Sequence, residues 1–309
     1  MKRITFVLSL VIILTGYSKK AAAQYYFYND KYYDSPLLFE IGGSIGVMNC
    51  LTDLGGKKGI GKKFIKDLNL GKTEFAGGLY FTAMYKYSVG LRLEATFGKV
   101  SADDNVLKDV DTKDIARARY NRNVNFRSNI TEFSLITELH PLFIFIDWTE
   151  RDEDPPRMSP YLLGGIGYYS FNPQAKLGKR WVDLQPLSTE GQGIIEDRPV
   201  YKLKQINFPV GLGIKYDLSD MLSLRGEFVY RILGTDYLDD VSTTYADKSI
   251  YIAANGFSAA EAANAILLSD RQINVVTGPG GKRGSPAQKD AFFTFNLKLG
   301  LSIGRERIR

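Results

Sequence analysis

The sequence is poor in the residues from which most catalytic and metal sites are built. It contains one cysteine, Cys50, and one histidine, His140. A single thiol cannot form an internal disulfide. Zinc sites and nucleophilic triads combine a histidine with further ligands or a paired nucleophile, and the sequence offers no such set. We therefore predict that the protein is not an enzyme and needs no metal or cofactor, and that His140 marks a strand end.

A long apolar run is also missing. After residue 23 no stretch of about 18 apolar residues occurs, so no transmembrane helix is predicted. Residues 1–23 are predicted to be a cleaved signal peptide with a basic start, an apolar segment (Ile4–Leu14) and a cleavage site at Ala21–Ala23. An exported chain of this kind can meet a membrane through a closed β-barrel or an interfacial contact.

An excess of positive charge is nearly absent once the signal peptide is removed. The whole chain has 40 Lys and Arg against 34 Asp and Glu, a net charge of +6. The signal peptide holds four of these bases and no acid, so 36 bases against 34 acids remain and the net charge is +2. The charge therefore does not indicate a nucleic-acid partner.

The clearest pattern in the sequence is the segment Gln205–Leu233. Its two halves alternate apolar and polar residues, which predicts two strands with one apolar and one polar face. Asp217–Asp220 separates the halves and has the residue types of a tight turn. The apolar face carries no charge for about ten residues on each strand, the length of a tilted membrane-crossing strand.

Six further segments have the same character. They are predicted as strands at Leu37–Val47, Glu74–Tyr85, Val89–Phe97, within Asn123–His140 (with a bulge at Arg127–Ile130), at Pro160–Phe171 and at Phe292–Ile303. The connections after strands 1, 3, 5 and 7 are long, and those after strands 2 and 6 are tight turns. The connection Pro141–Ser159 is the exception. This alternation is typical of outer-membrane barrels.

We therefore predict an all-β fold, an eight-stranded antiparallel transmembrane β-barrel of the OmpA/OmpX type. Its long loops are expected to be extracellular and both termini periplasmic, in the cell outer membrane. The predicted division is a signal peptide (1–23), a periplasmic lead-in (24–36), the barrel (37–304) and a C-terminal tail (305–309).

Charges of both signs lie on the polar faces of the predicted strands. The residues expected to form ion pairs in the barrel interior are Arg92, Glu94, Arg225, Glu227 and Arg231, with Lys298 on the same kind of face. Two interpretations are open, a plugged interior held by ion pairs and a pore lining. Eight strands enclose a space that side chains fill, which favours the plug.

The connections contain three notable segments. Residues 56–63 almost match a nucleotide-binding P-loop, but Lys63 replaces the Ser or Thr that would hold magnesium. A loop that contacts lipopolysaccharide phosphates or an acidic partner, or a simple solvated loop, is favoured instead. The candidate functional residues of this extracellular loop are Cys50, Asp53, Lys57, Lys58, Lys62 and Lys63. The candidate periplasmic partner contact is an acidic run formed by Asp147, Glu150, Asp152, Glu153 and Asp154. Ser258–Ser269 is predicted to be helical, capped by Ser258 and Glu261.

Several of these segments resemble one family. Val47–Leu70, Leu37–Gly46, Val89–Val100 and Glu138–Leu142 are similar to the PorG-like outer-membrane barrels (the DUF6089 group) of Bacteroidota, and Val47–Leu70 is the most specific. The resemblance implies an eight-stranded barrel without enzyme activity that belongs to the type IX protein secretion system. It implies contact with the periplasmic ring of the PorK lipoprotein and PorN. The chain departs from outer-membrane barrels in general by ending on Arg305–Arg309 rather than on an aromatic residue.

Two alternatives belong to other functional classes. One is a small general porin, or a ligand or adhesion barrel unrelated to secretion. The other is a lipid-modifying enzyme, which would need a nucleophile and a base near one rim. Outer-membrane lipid and lipopolysaccharide are expected to surround the protein in every case.

Overall fold

The computed structural model describes residues 37–54, 56, 70–111, 113–146, 156–219, 221–253 and 256–303. The predicted signal peptide, lead-in and tail lie outside these residues and stay predictions. The described strands are β1 (Leu37–Leu51), β2 (Glu74–Tyr85), β3 (Val89–Asp103), β4 (Asn125–Leu139), β5 (Met158–Ser170), β6 (Pro173–Leu177), β7 (Arg180–Asp183), β8 (Lys204–Asp217), β9 (Leu222–Leu233) and β10 (Ala291–Ile303). The described α-helices are α1 (Ala116–Arg122), α2 (Pro141–Ile144), α3 (Ser249–Ala253) and α4 (Ala259–Ser269).

Eight of these strands form a closed antiparallel barrel. Each pairs with the next in the order β1, β2, β3, β4, β5, β8, β9 and β10, and β10 pairs with β1. The predicted fold class is therefore confirmed. The remaining two strands, β6 and β7, form a hairpin that extends one edge of β4 at Arg127 and Ser128.

The outer surface of the barrel is apolar. Side chains on the outward face of each strand are exposed and large, as in Leu79 (66%), Leu93 (58%), Phe133 (59%) and Leu212 (56%). Such a continuous apolar surface is stable only when lipid or another apolar phase covers it. Among the described residues, no helix combines the length and hydropathy needed to cross a bilayer.

The two ends of the barrel differ. At the turn end, β2 and β3 are joined through Lys86 and Tyr87, and β8 and β9 through Leu218 and Ser219. This end also holds the start of β1 and the end of β10. At the loop end, four long connections join β1 to β2, β3 to β4, β5 to β8 and β9 to β10.

Several strands continue beyond the predicted bounds. β1 ends at Leu51 and β3 at Asp103, whereas the sequence predicted ends at Val47 and Phe97. The prediction followed the apolar outer face, which ends where the wall leaves the lipid. Beyond that level the wall stays paired, because its inward side chains pack on a buried apolar cluster that includes Met48 and Val100.

The bulge predicted at Arg127–Ile130 is wrong. The pairs between β3 and β4 run without a break from Val89 with Leu139 to Asp103 with Asn125. Phe126 and Ile130 point inward on the same face as Glu132. The apparent change of phase is a change in interior chemistry, from charged residues to apolar ones, along one regular strand.

Glycines facing the interior leave room for aromatic rings. A Cβ atom on Gly213 would lie 2.5 Å from Cζ of Tyr161, and one on Gly42 would lie 2.6 Å from Cζ of Tyr80. Both rings are buried. The small interior of an eight-stranded barrel can hold these rings only where the facing wall has no side chain.

We expect Gly213→Ala to lower the free energy of unfolding by about 1–3 kcal/mol, the usual cost of overpacking. The added methyl group would push Tyr161 away from Glu227, to which its hydroxyl donates a hydrogen bond. The matched control is Gly164→Ala, because a Cβ atom added to this barrel glycine would meet no heavy atom within 4 Å. Urea unfolding in phospholipid vesicles measures both. Equal stabilities of the two variants would contradict this packing.

Candidate functional site

The interior of the barrel contains ten buried charges in balance. Five are glutamates and five are bases, and none is more than 5% exposed. The residues are Glu40, Glu94, Glu132, Glu138, Glu227, Arg92, Lys215, Arg225, Arg231 and Lys298. Buried charges are tolerated when they are paired and hydrogen-bonded, so their contacts decide what this interior can do.

Eight of the ten form one network, here called the ionic cluster: Glu40, Arg92, Glu94, Glu138, Lys215, Arg225, Glu227 and Lys298. Arg225 lies at its centre. Its Nε donates to Glu40 at 2.8 Å, and its Nη1 donates to the two oxygens of Glu138 at 3.0 and 2.8 Å. Arg225 therefore joins strands on three sides of the barrel.

Arg92 and the two lysines complete the ionic cluster. Arg92 lies 3.0 Å from Glu94 and 2.7 Å from Glu138, and it also pairs with Glu227. Lys298 lies 2.7 Å from Glu94 and 2.8 Å from Glu227, while Lys215 lies 3.2 Å from Glu40. Four carboxylates are paired with four bases, so the charges within the ionic cluster balance.

The other two charges form a separate pair nearer the loop end. Arg231 lies 3.1 Å from Glu132 and donates to the hydroxyl of Thr294 at 2.6 Å. Glu132 also accepts from Nδ2 of Asn207 at 2.7 Å. Ile136 and Val229 pack together between this pair and the ionic cluster.

Apolar side chains pack at both ends of this charged interior. At the turn end, Leu38, Met84 and Tyr87 are buried with Phe143, whose ring lies 5.8 Å from that of Tyr87. At the loop end, the buried rings of Tyr169 and Phe292 pack with their centres 5.8 Å apart within a larger apolar cluster. The turn end is not wholly apolar, because Lys215 also lies 3.5 Å from the partly exposed Asp217. Among the described residues, the ten charges are nevertheless at most 5% exposed, so they do not line an open pore.

The closed hydrogen-bonded wall and its apolar outer surface decide the class of protein, because a barrel that is polar inside and apolar outside matches a bilayer. The protein is an outer-membrane β-barrel. This places it in lipid, in the cell outer membrane.

Solved outer-membrane barrels are similar to it over most of its length. The N-terminal barrel domain of Pseudomonas aeruginosa OprF is 8% identical with a TM-score of 0.33, covering 87% of this chain and 98% of that one. Neisserial surface protein A is 9% identical with a TM-score of 0.36, covering 86% and 97%. A major outer-membrane protein of Thermus thermophilus is 13% identical with a TM-score of 0.39, covering 87% and 100%.

No protein-family model and no curated protein matches the sequence. The likeness to PorG-like barrels therefore stays a resemblance. The fold itself rests on the strand pairing and on the apolar outer surface of this barrel.

The predicted interior residues all lie inside the barrel. Arg92, Glu94, Arg225 and Glu227 belong to the ionic cluster, whereas Arg231 belongs to the separate pair with Glu132. Arg225 contacts Glu40 and Glu138 and makes no described contact with Glu227. Glu40 and Lys215 are further members of the network that a prediction based on Arg-x-Glu spacing did not select.

The structure describes only two of the predicted loop residues, Cys50 and Asp53. Cys50 is not in a loop, because it lies in β1 opposite Phe292 and is only 5% exposed. The strand continues through Cys50 since its inward face joins the apolar cluster at the loop end. Asp53 follows β1 and is half-buried. The remaining predicted residues of both contact segments lie outside the described residues: Lys57, Lys58, Lys62, Lys63, Asp147, Glu150, Asp152, Glu153 and Asp154.

The long connections pack together at the loop end into a layer, here called the loop dome (residues 52–54, 104–124, 171–203 and 234–290 as described). An apolar cluster in the loop dome, separate from the one at the loop end of the barrel, contains Leu184, Leu187, Tyr251 and Leu268. The predicted helix is confirmed as α4, and Ser258 and Glu261 form the predicted capping box. The hairpin β6–β7 was not predicted, although Gly178 adopts the positive φ of a turn.

One buried arginine ties three connections of the loop dome. Arg122 donates to both oxygens of Asp104 at 2.8 and 2.9 Å. It also donates to the carbonyl of Asp53 at 2.7 Å and to the carbonyl of Arg283 at 2.8 Å. The bidentate pair with Asp104 fixes the guanidinium, and its remaining donors hold the first and last connections.

A buried glutamate, Glu190, links the fourth connection, between β5 and β8, to the rest of the loop dome. Glu190 accepts from Nη1 of Arg283 at 2.9 Å and from the backbone of Ser242 at 3.0 Å. It also accepts from the backbone and hydroxyl of Thr243 at 2.9 and 2.6 Å. Arg122 and Glu190 together make the loop dome one connected polar structure.

The loop dome also buries four aspartates: Asp236, Asp239, Asp240 and Asp290. Burial raises the pKa of Asp236 to about 7 and that of Asp240 to about 6. Burial, with neighbouring carboxylates, also raises the pKa values of Asp239 and Asp290. No group of three or more histidines, cysteines or carboxylates in the described part of the chain is placed to hold a metal ion.

Because the pKa values of these aspartates are raised, we predict that the loop dome is less stable at higher pH. In the folded dome they keep protons that the unfolded chain loses above about pH 4, so stability falls as pH rises from about 4 through 7. Hydrogen exchange of residues 236–245, corrected for intrinsic rates, should show faster exchange at about pH 8 than at about pH 5. Asp236→Asn should reduce that difference. Equal or greater protection at the higher pH would contradict the prediction.

Proposed function

We propose that the protein is a non-catalytic structural component of the type IX protein secretion system that anchors the periplasmic PorK/PorN ring to the outer membrane. The observation that supports a structural role is the filled interior. Among the described residues, the ten balanced charges of the interior are at most 5% exposed and apolar side chains pack at both ends, which supports a closed barrel rather than a pore. The assignment to the secretion system and to its ring rests on the resemblance to PorG-like barrels.

The proposed orientation places the turn end, with both chain termini, in the periplasm and the loop dome outside the cell. Short turns on the periplasmic side and long loops on the other are the usual arrangement in outer-membrane barrels. Labelling of intact cells at an introduced cysteine tests it. With Cys50 replaced by Ser, Lys289→Cys in the loop dome should react with an impermeant reagent, and Lys86→Cys at the turn end should react only after lysis.

The Pro141–Ser159 connection is the proposed ring contact. Its first part is described: Pro141–Ile144 forms α2, and Phe145 next to it is 83% exposed. The acidic run at 147–154 follows. An exposed aromatic residue beside a run of carboxylates supports the proposal of a partner with a basic surface.

Crosslinking in native outer membranes tests the ring contact. Photocrosslinkable residues placed at Phe145 and, as a control, at Ile252 in the loop dome should give PorK or PorN adducts at Phe145 alone. Replacement of Asp147, Glu150, Asp152, Glu153 and Asp154 by Ser should lower recovery of the ring proteins in pull-downs. Unchanged recovery would remove this site, and no ring adduct at any turn-end position would overturn the secretion role.

A ligand or adhesion barrel is the second candidate, and the ordered loop dome favours it. Arg122 and Glu190 fix four connections in one arrangement, and rigid display of loops suits recognition outside the cell. Residues 273–276 include three exposed apolar side chains, Ile273, Val275 and Val276. Their deletion should abolish cell attachment under this candidate and leave secretion unchanged. Loss of secretion with intact attachment would favour the first candidate.

A further inference from the structure

The outer wall of the barrel carries a group of cations on one side of its loop end. They lie on β3, β4 and β8 and on the β6–β7 hairpin, where the loop dome meets β4, at the level at which the apolar outer face stops. We call them, with one tryptophan, the rim patch: Lys99 (β3), Arg127 (β4), Lys176 (β6), Lys204 (β8) and Trp181 (β7). The remaining described barrel strands, β1, β2, β5, β9 and β10, carry no outward cation at this level.

The strand pattern fixes the direction of these side chains. Lys99 follows Phe97 on the outward face of β3, and Phe97 is 48% exposed. Lys204 precedes Ile206 on the outward face of β8, and Ile206 is 52% exposed. Two residues along a tilted strand advance about 5 Å toward the loop end. The rim patch therefore lies at the level where lipid tails give way to head groups.

Arg127 is held in a defined position. Its guanidinium carbon lies 4.2 Å from the centre of the Trp181 ring, and its Nε donates to the amide oxygen of Gln174 at 2.9 Å. Stacking on an aromatic ring leaves the terminal N–H groups of an arginine free to bind an anion in its plane. Tryptophan is itself favoured at a membrane interface.

Acids near the rim patch are already engaged. Asp183 accepts from Asn172 at 3.0 Å and from Gln174 at 2.6 Å, and Asp103 pairs with Lys72 at 3.5 Å. Within the described residues, none of the four cations of the rim patch forms an ion pair with a carboxylate. Asp183 keeps its charge because its partners are neutral amides, but the four cations outnumber it. This excess of positive charge beside apolar lipid contacts matches a lipid with a phosphorylated head group.

We propose that the rim patch binds the phosphate groups of a phosphorylated glycolipid in the outer leaflet, with Arg127 as its fixed anchor and the three lysines around it. The acyl chains of that lipid lie against Phe97 and the neighbouring apolar wall. The proposal rests on the orientation proposed above, since only that orientation brings the rim patch to the outer leaflet. The site differs from the predicted lysine loop at 57–63.

Native mass spectrometry of the full-length protein in detergent tests the site. Added diphosphoryl lipid A should be retained by the wild-type protein, and at least about tenfold less by the variant K99Q/R127Q/K176Q/K204Q. The matched control, K108Q/K113Q/K282Q/K289Q, removes four lysines of the loop dome and should retain lipid A like the wild type. Equal retention by the rim-patch variant would overturn the proposal.

Two further lipids test which part of lipid A the rim patch recognises. Lipid A without phosphates should be retained poorly, and equal retention of it would show that acyl chains alone bind. Phosphatidylglycerol should compete weakly, and competition as strong as that of lipid A would replace the glycolipid by anionic lipid in general. Detergent micelles have no sides, so these results do not depend on the orientation or on the secretion role, which the cell-labelling and crosslinking experiments test separately.

Discussion

Replacement of Arg225 by Met is expected to lower the free energy of unfolding of the barrel by about 3–5 kcal/mol, the cost of breaking a buried ion pair. The change leaves Glu40 with Lys215 and Tyr80, and Glu138 with Arg92 and His140. It also gives the ionic cluster a net negative charge in an interior closed to water. Equilibrium urea unfolding in phospholipid vesicles measures the loss.

Two further variants separate the effect of the lost charge from the effect of lost packing. Adding Glu138→Leu to Arg225→Met restores neutrality and should recover part of the lost stability, which a double-mutant cycle quantifies. Arg180→Met removes an exposed arginine of the β6–β7 hairpin and should change stability by less than about 0.5 kcal/mol. An Arg225→Met protein as stable as the wild type would mean that the ionic cluster does not stabilise the barrel.

Replacement of Arg122 by Met is expected to open the loop dome while the barrel stays folded. It removes the guanidinium that pairs with the buried Asp104 and that donates to the carbonyls of Asp53 and Arg283. Breaking such a buried pair costs about 3–5 kcal/mol. Amide hydrogen exchange should therefore become faster in residues 104–110 and 283–290 and stay unchanged in the barrel strands.

The matched control for this change lies on the same helix. Arg117 is half-buried, stacks over Tyr120 at 4.5 Å and donates one weak bond to the carbonyl of Val110. Arg117→Met should cost about 1 kcal/mol or less and leave residues 283–290 protected. If the two variants exchange alike, Arg122 is not the residue that connects the dome.

The barrel was predictable because membrane strands obey a local rule. Alternation with a period of two assigns a face to every residue, and the apolar belt marks each crossing. β2 has the predicted bounds, and the predicted interior charges all lie on inward faces. The rule fails where the wall leaves the lipid, as at Cys50 and Phe126, since apolar residues there belong to the inside.

The partners inside the barrel and the form of the loop dome were not predictable from local patterns. Arg225 and Glu138 are 87 residues apart, and Arg122 and Arg283 are 161 apart. A face assignment shows that two charges are both inside, but strand tilt and stagger decide which of them meet. The tyrosines that fill the interior had a weaker signal, the glycines opposite them.

Conductance of the purified full-length protein in planar bilayers tests most directly whether the interior is closed. Because its ten charges are paired and buried, the barrel should insert without producing a steady unit current at moderate voltage. Stable, repeatable current steps whose size follows the salt concentration would contradict the account and make the ionic cluster a pore lining.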